Sequence, residues 1–242
     1  MRKRGIDISE WQGNINFLQV KNAGIDCIIV RYADGSYIDK KFITNMKECQ
    51  KYGFHFGAYI FSRAKSKAQA RDEAKRLIAA CAPYKYDMPL YIDMESPQVQ
   101  LIADQVIAGF LDECDKAGVK GGVYSNLNWF NNFININKIK DRPIWYAQYN
   151  NEITFKHPEW IGMWQYTSTG KCPGINGNVD LNHVYVEYWD KKPDETYPDN
   201  IKIKAVDVFL GKYGSGAERK KKLGNDYDAV QKLVNEIIER MK

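Results

Sequence analysis

The stretch PLYIDMES, Pro89 to Ser96, closes an apolar run with two carboxylates, Asp93 and Glu95, separated by one methionine. Side chains of a strand alternate between its faces, so Tyr91, Asp93 and Glu95 share one face and Leu90, Ile92 and Met94 the other. Two positions along a strand span about 6.6 Å. Carboxyls at that spacing suit glycoside chemistry. One stays protonated and donates to the leaving oxygen, while the other stays ionised beside the developing oxocarbenium ion. A lone D-x-E triplet at a strand end is more often a solvated cap, so its company matters. The first predicted strand ends at Asp7, the second at Arg31-Tyr32, the third at Tyr59 and the fifth at Tyr124. The sixth ends within Trp145–Tyr149, the seventh at Trp164-Gln165-Tyr166, and the eighth carries Asp180 and Asn182. Taken singly, the tyrosines and tryptophans read as core filling, Asp7 as a turn residue and Asp180 as the partner of an arginine. Taken together, they place four acids and several aromatics at the same end of separate strands. Aromatic rims suit sugars, whose C–H faces are apolar, and 6 Trp and 16 Tyr are enough to build one.

That convergence needs parallel strands. Three segments repeat one grammar: VKNAGIDCIIVRY, CQKYGFHFGAYIF and CDKAGVKGGVYSN each end a helix at a glycine (Gly24, Gly53, Gly118) and enter an apolar strand. Ser66 opens a helix reaching about Cys81, and Ser96-Pro97 opens one running toward Gly118. Alternating strand and helix implies a parallel sheet, whose active site lies at the strand C-termini if it closes as a barrel. After Asn126 the gaps are too short for full helices. The expected fold is α/β, an irregular TIM-like barrel of five βα units followed by three extra strands. An open doubly wound sheet is the alternative, without a G-x-G-x-x-G after the first strand.

The barrel is assigned to residues 1–189, a polar linker to 190–200 and a small three-helix module to 201–242. This last segment carries ten Lys/Arg against six Asp/Glu and so most of the net charge of +5, which suits an anionic partner or a solvated helix face. The five cysteines are widely spaced without a C-x-x-C pair, and the three histidines form no zinc motif, so neither a disulfide framework nor a metal site is expected. No apolar run spans a bilayer, and the N-terminus shows no signal-peptide core. Synthesis in the cytoplasm is therefore expected, with no membrane insertion.

The motifs GIDISEWQGNINF, IIVRYADGSYIDKKF, GAYIFS, YIDMES, GVYSN, PIWYAQY and MWQYTSTGKCPGINGNVDLN occur in this order over about residues 4–189. In them the chain resembles glycoside hydrolase family 25, the Chalaropsis-type lysozymes of phage endolysins and bacterial autolysins. The resemblance implies hydrolysis of the β-1,4 bond between N-acetylmuramic acid and N-acetylglucosamine in the bacterial cell wall, with retention and without a cofactor. By motif, Glu95 matches the general acid/base, Asp93 its partner carboxylate, and Asp7 and Asp180 supporting acids. Tyr32, Tyr59, Tyr124, Trp145 and Gln165 fall in motifs that line the sugar site. Two roles stay open for Asp93: orienting the substrate acetamido group as that group attacks, or attacking directly. A chitinase-like hydrolase is the rival, but its acidic motif carries a further aspartate where Tyr91 stands. A wall amidase would need a zinc set. A catalytically inactive peptidoglycan-binding protein is the alternative from another class.

Ala205 to Ile238, AVDVFLGKYGSGAERKKKLGNDYDAVQKLVNEII, resembles a cell-wall-binding repeat of some phage lysozymes. The implied partner is bacterial peptidoglycan, not nucleic acid. Such repeats often occur in tandem. A single copy here makes self-association through the module a candidate source of avidity.

Overall fold

A computed structural model describes residues 3–189 and 197–240. Among the described residues nine strands form: β1 (Lys3–Ile8), β2 (Cys27–Asp34), β3 (Tyr37–Ile38), β4 (His55–Phe61), β5 (Leu90–Asp93), β6 (Gly121–Asn126), β7 (Ile144–Ala147), β8 (Ile161–Gly170) and β9 (Val179–Val184). The helices are α1 (Phe17–Asn22), α2 (Phe42–Lys51), α3 (Lys67–Cys81), α4 (Ala103–Lys116), α5 (Leu127–Asn132), α6 (Asp199–Phe209), α7 (Gly216–Leu223) and α8 (Tyr227–Arg240).

Parallel pairing runs from β1 through β2, β4, β5, β6 and β7 to β8. Strand β9 lies antiparallel between β8 and β1 and closes an eight-stranded barrel. Helices α1 to α5 follow the first five barrel strands, and the last three are joined without α-helices, as expected. Gly24, Gly53 and Gly118 take φ of 78°, 64° and 66°. That left-handed region favours glycine at the residue that ends a helix.

The extra strand is β3, which pairs with the end of β2 through the turn at Gly35-Ser36. Helix α3 starts as expected, with the Ser66 hydroxyl accepting from the Gln69 amide at 3.2 Å. Ser96 differs. It makes no side-chain cap bond, and Pro97–Ile102 form a 3-10 turn before α4 begins.

Alternation splits the apolar residues into two layers. Cys27, Ile29, Tyr91, Tyr124, Trp145 and Met163 fill the barrel interior. Ile28, Val30, Leu90, Ile92 and Met94 face the helices. Gly122 gives Tyr91 its room: a Cβ there would lie 2.5 Å from the Tyr91 ring and 2.7 Å from the Pro143 carbonyl. At the far end of the barrel Tyr188 reaches over Gly162, and Trp189 stacks on His55 at 4.3 Å.

The three C-terminal helices have a core of their own, built on Ile201, Ala205, Val208, Leu223, Val230 and Val234. Helix α6 begins at Asp199, and the Tyr197 hydroxyl already donates to Glu236 at 2.8 Å. Packing of this unit therefore starts inside the stretch expected to be linker. The remainder of that stretch, 190–196, lies outside the described residues. A cleft of about 890 Å³ separates the strand-start end of the barrel, at Met88, Lys120 and Pro143, from Tyr197, Lys202 and Leu233. All five cysteines are buried and unpaired. No helix among the described residues is long and apolar enough to cross a membrane.

Candidate active site

Inward-facing residues at the C-terminal ends of the parallel strands, and Asp180 at the start of the antiparallel β9, meet at the other end of the barrel. Asp7, on β1, pairs in register with Asp180 on β9. Its Oδ2 accepts from Gln165 Nε2 at 3.0 Å and Asn182 Nδ2 at 2.8 Å. The orientation of both amides follows from their other partners. Trp145 Nε1 can only donate, and it donates to Asn182 Oδ1 at 2.7 Å. Gln165 Oε1 accepts from the hydroxyls of Tyr124 and Tyr149, both at 2.9 Å. Each amide therefore turns its NH2 toward Asp7. Burial, and then the neighbouring Asp180, push the Asp7 carboxyl well above the usual aspartate range. Asp180, half-buried, is also raised by burial, and the two acids share a hydrogen bond. The deeper Asp7 is the natural holder of the shared proton.

Asp93 ends β5 and is buried. Its Oδ1 has no hydrogen-bond partner among the described residues. Burial raises its proton affinity most. Glu95, Asp7 and Asp34 add to that, and Arg63 opposes it. Arg63 is held by Asp34 at 2.6 Å and lies over the Phe61 ring. Glu95 sits just beyond the strand, half-buried, and accepts from Asn126 Nδ2 at 2.7 Å. Burial lifts its carboxyl above the usual glutamate range, with the Asn126 hydrogen bond acting the other way. The Ser125 hydroxyl donates to the Met94 carbonyl at 2.5 Å and pins the backbone between the two acids. Met94 faces the helices, as alternation requires.

The structure thus brings Asp7, Asp93, Glu95 and Asp180 together. Tyr59 stands between them, its phenol raised by burial and then by Asp7 and Asp93. Tyr124 closes the floor through Gln165. Trp145 is 1% exposed and packs under Tyr59 and Tyr124, at 5.7 and 4.4 Å. It is floor rather than rim. Tyr32 is not in the site. Its ring meets Phe42 of α2 at 5.1 Å, among the residues that face the helices. The cause is parity: Ile28, Val30 and Tyr32 point outward, whereas Ile29 and Arg31 point inward.

Arg31 is therefore the β2 residue of the site, bound to Asp39 at 2.8 Å and to Glu10 at 3.3 Å. Alternation signals it, and equally signals Asn182, two positions after Asp180. The sequence does not signal Asn126, because its Oδ1 also accepts from the Trp129 amide at 3.2 Å and the pattern reads as an ordinary helix cap. Among the described residues, no three His, Cys, Asp or Glu side chains are grouped to hold a metal ion.

Residues 6–175 match glycosyl hydrolases family 25. The chain belongs to that family. Residues 205–238 match a second unit, the CW_7 repeat. An autolytic lysozyme of Clostridium acetobutylicum is 27% identical over 183 residues, which are 74% of this chain and 55% of the relative. Among solved structures, the modular autolysin LytC of Streptococcus pneumoniae, in complex with a synthetic peptidoglycan ligand, superposes with a TM-score of 0.70 at 28% identity. That match covers 76% of this chain and 47% of LytC, so the chain spans about half the length of these two relatives. The CTP1L endolysin superposes with a TM-score of 0.70 over 98% of this chain and 99% of its own, at 21% identity, a likeness of fold. Its coverage includes the C-terminal helices as well as the barrel.

Proposed function

We propose that the chain is a peptidoglycan muramidase that cuts the β-1,4 bond between N-acetylmuramic acid and N-acetylglucosamine, with Glu95 as general acid and base. The observation that carries this reading is the Asp93–Glu95 pair. Both carboxyls have raised proton affinity and sit on the inward side of one strand end. Burial is the main cause of both shifts, and the Glu95 charge adds to the rise at Asp93. Protonated Glu95 donates to the glycosidic oxygen as the bond to the anomeric carbon breaks. The acetamido oxygen of the same sugar attacks that carbon and forms an oxazolinium. Asp93 Oδ1, unclaimed by any described residue, accepts the acetamido N–H and balances the positive charge. Glu95, now ionised, takes a proton from the water that opens the oxazolinium, which gives net retention. Direct attack by Asp93 is the competing path, and trapping of a covalent glycosyl–Asp93 adduct would establish it instead.

Asp7 and Asp180 hold the charge balance and the shape of the floor beneath the reacting sugar. The C-terminal helices bind the wall, and self-association of these single-repeat tails supplies avidity. Digestion of purified cell walls followed by reducing-end analysis tests the activity. New N-acetylmuramic acid reducing ends are expected. New N-acetylglucosamine ends or new amino groups would point to a different bond, and no release at all to a binding protein.

A further inference from the structure

We propose that Trp11 and Tyr37 form a sugar-stacking shelf, a subsite for a hexose ring of the glycan strand beyond the two rings joined by the bond that is cut. This rests on the glycan-hydrolase reading above. Trp11 is 78% exposed and Tyr37 45% exposed. A tryptophan left in water forgoes a large apolar burial, and exposed aromatics in company mark contact sites.

The shelf is also built rather than loose. The Trp11 amide donates to Ser9 Oγ at 3.3 Å, and the Ser9 amide to Gln12 Oε1 at 2.8 Å, which locks the turn after β1. The Glu10 amide donates to Asp39 Oδ2 at 2.9 Å. The Tyr37 hydroxyl donates to Glu10 Oε2 at 3.0 Å, so the β3 hairpin is tied to the Trp11 turn. Against Trp11, the Arg31 guanidinium lies 6.0 Å from the ring centroid while gripping Asp39 and Glu10. Arg31 projects from the inner face of β2 and also acts on the Tyr59 phenol. One side chain therefore joins the shelf to the reaction floor.

Position makes this a separate subsite. Trp11 follows β1 and Glu95 follows β5, with β2 and β4 between them. Three strand spacings are about 14 Å along the barrel wall. A single hexose cannot touch both, so a ring on the shelf is a different ring of the same strand. Stacking an indole on a pyranose face needs no hydrogen-bond pattern. It therefore leaves the C3 substituent, with or without a peptide, free to project sideways. The ligand class is a β-1,4-linked N-acetylhexosamine chain longer than one disaccharide.

The test is the chain-length dependence of kcat/KM on soluble peptidoglycan glycans of defined length, for wild type, Trp11→Ala, Trp11→Phe and Tyr37→Ala. Wild type should improve with length. Trp11→Ala should lose about tenfold on long chains relative to the shortest one cut. Trp11→Phe, which keeps a flat face, should recover most of that loss, and Tyr37→Ala should flatten the profile in the same direction. Melting temperatures monitor folding. An unchanged length profile in both alanine variants overturns the shelf alone. A wild-type protein that cuts no length overturns the hydrolase reading and the shelf with it.

Discussion

Asp7 illustrates how a buried acid strains the molecule that holds it. Its carboxyl is buried, and its folded-state pKa lies well above the ordinary 3.8. For such a group the folded state binds more protons than the unfolded state between the two values. The stability contribution is therefore intact below about pH 3.8 and is lost as pH rises through the raised pKa. Asp7→Asn removes the titration. It keeps an oxygen to accept from Gln165 and Asn182 and gains an NH2 to donate to Asp180. The expected result is a gain on the order of 1 kcal/mol at pH 7, shrinking toward pH 4, together with reduced wall hydrolysis. Denaturant unfolding at the two pH values measures it, and a loss of stability at pH 7 would contradict the burial account. At this scale the four acids were legible because strand ends converge and alternate. Arg31 and Tyr32 are adjacent at the end of one strand, and only parity decides which one turns inward. The helix-capping role of Asn126 masks its contact with Glu95 in the sequence.

The barrel strands position the acids through close inner packing. Gly122 on β6 leaves room for the Tyr91 ring, two residues before Asp93 on β5. Gly122→Ala would drive a methyl into that ring and into the Pro143 carbonyl, two neighbours that cannot both retreat. Overpacking of this kind costs about 1–3 kcal/mol. A shift of Tyr91 should also disturb Asp93, so activity should fall by more than the unfolded fraction explains. Thermal melting with activity measured well below the melting temperature separates the two effects. The elements themselves were largely readable, since helix-ending glycines and apolar alternation are strong local signals. The β3 hairpin and the 3-10 turn after Ser96 were not. Two paired residues carry too little periodicity to register, and a proline after serine marks a helical start without specifying which kind of helix.

Across the whole molecule, chemistry and wall attachment are assigned to different ends. The acids gather at the end of the barrel where the parallel strands finish, whereas the C-terminal helices face the starts of those strands across the 890 Å³ cleft. The helices also have their own core, separate from that of the barrel. Truncation before Tyr197, which removes the hydroxyl contact to Glu236 along with its helix, should abolish wall pull-down. Activity on soluble fragments should persist. Loss of soluble activity as well would mean that the tail is a structural cap on the barrel. The two-part organisation was visible in composition and motif. The start of the second part was not, because Tyr197 belongs to it through a side-chain contact and not through helical periodicity.

Glu95→Gln is the most direct test of the whole account. Glutamine keeps the shape and can still pair with Asn126 but cannot give up a proton. General acid catalysis is worth roughly 10²–10⁴-fold. The measurement is reducing-end release from purified cell walls beside binding of the same variant to those walls. The account predicts that turnover falls by a factor in that range while wall binding is retained. Hydrolysis close to the wild-type rate would contradict it.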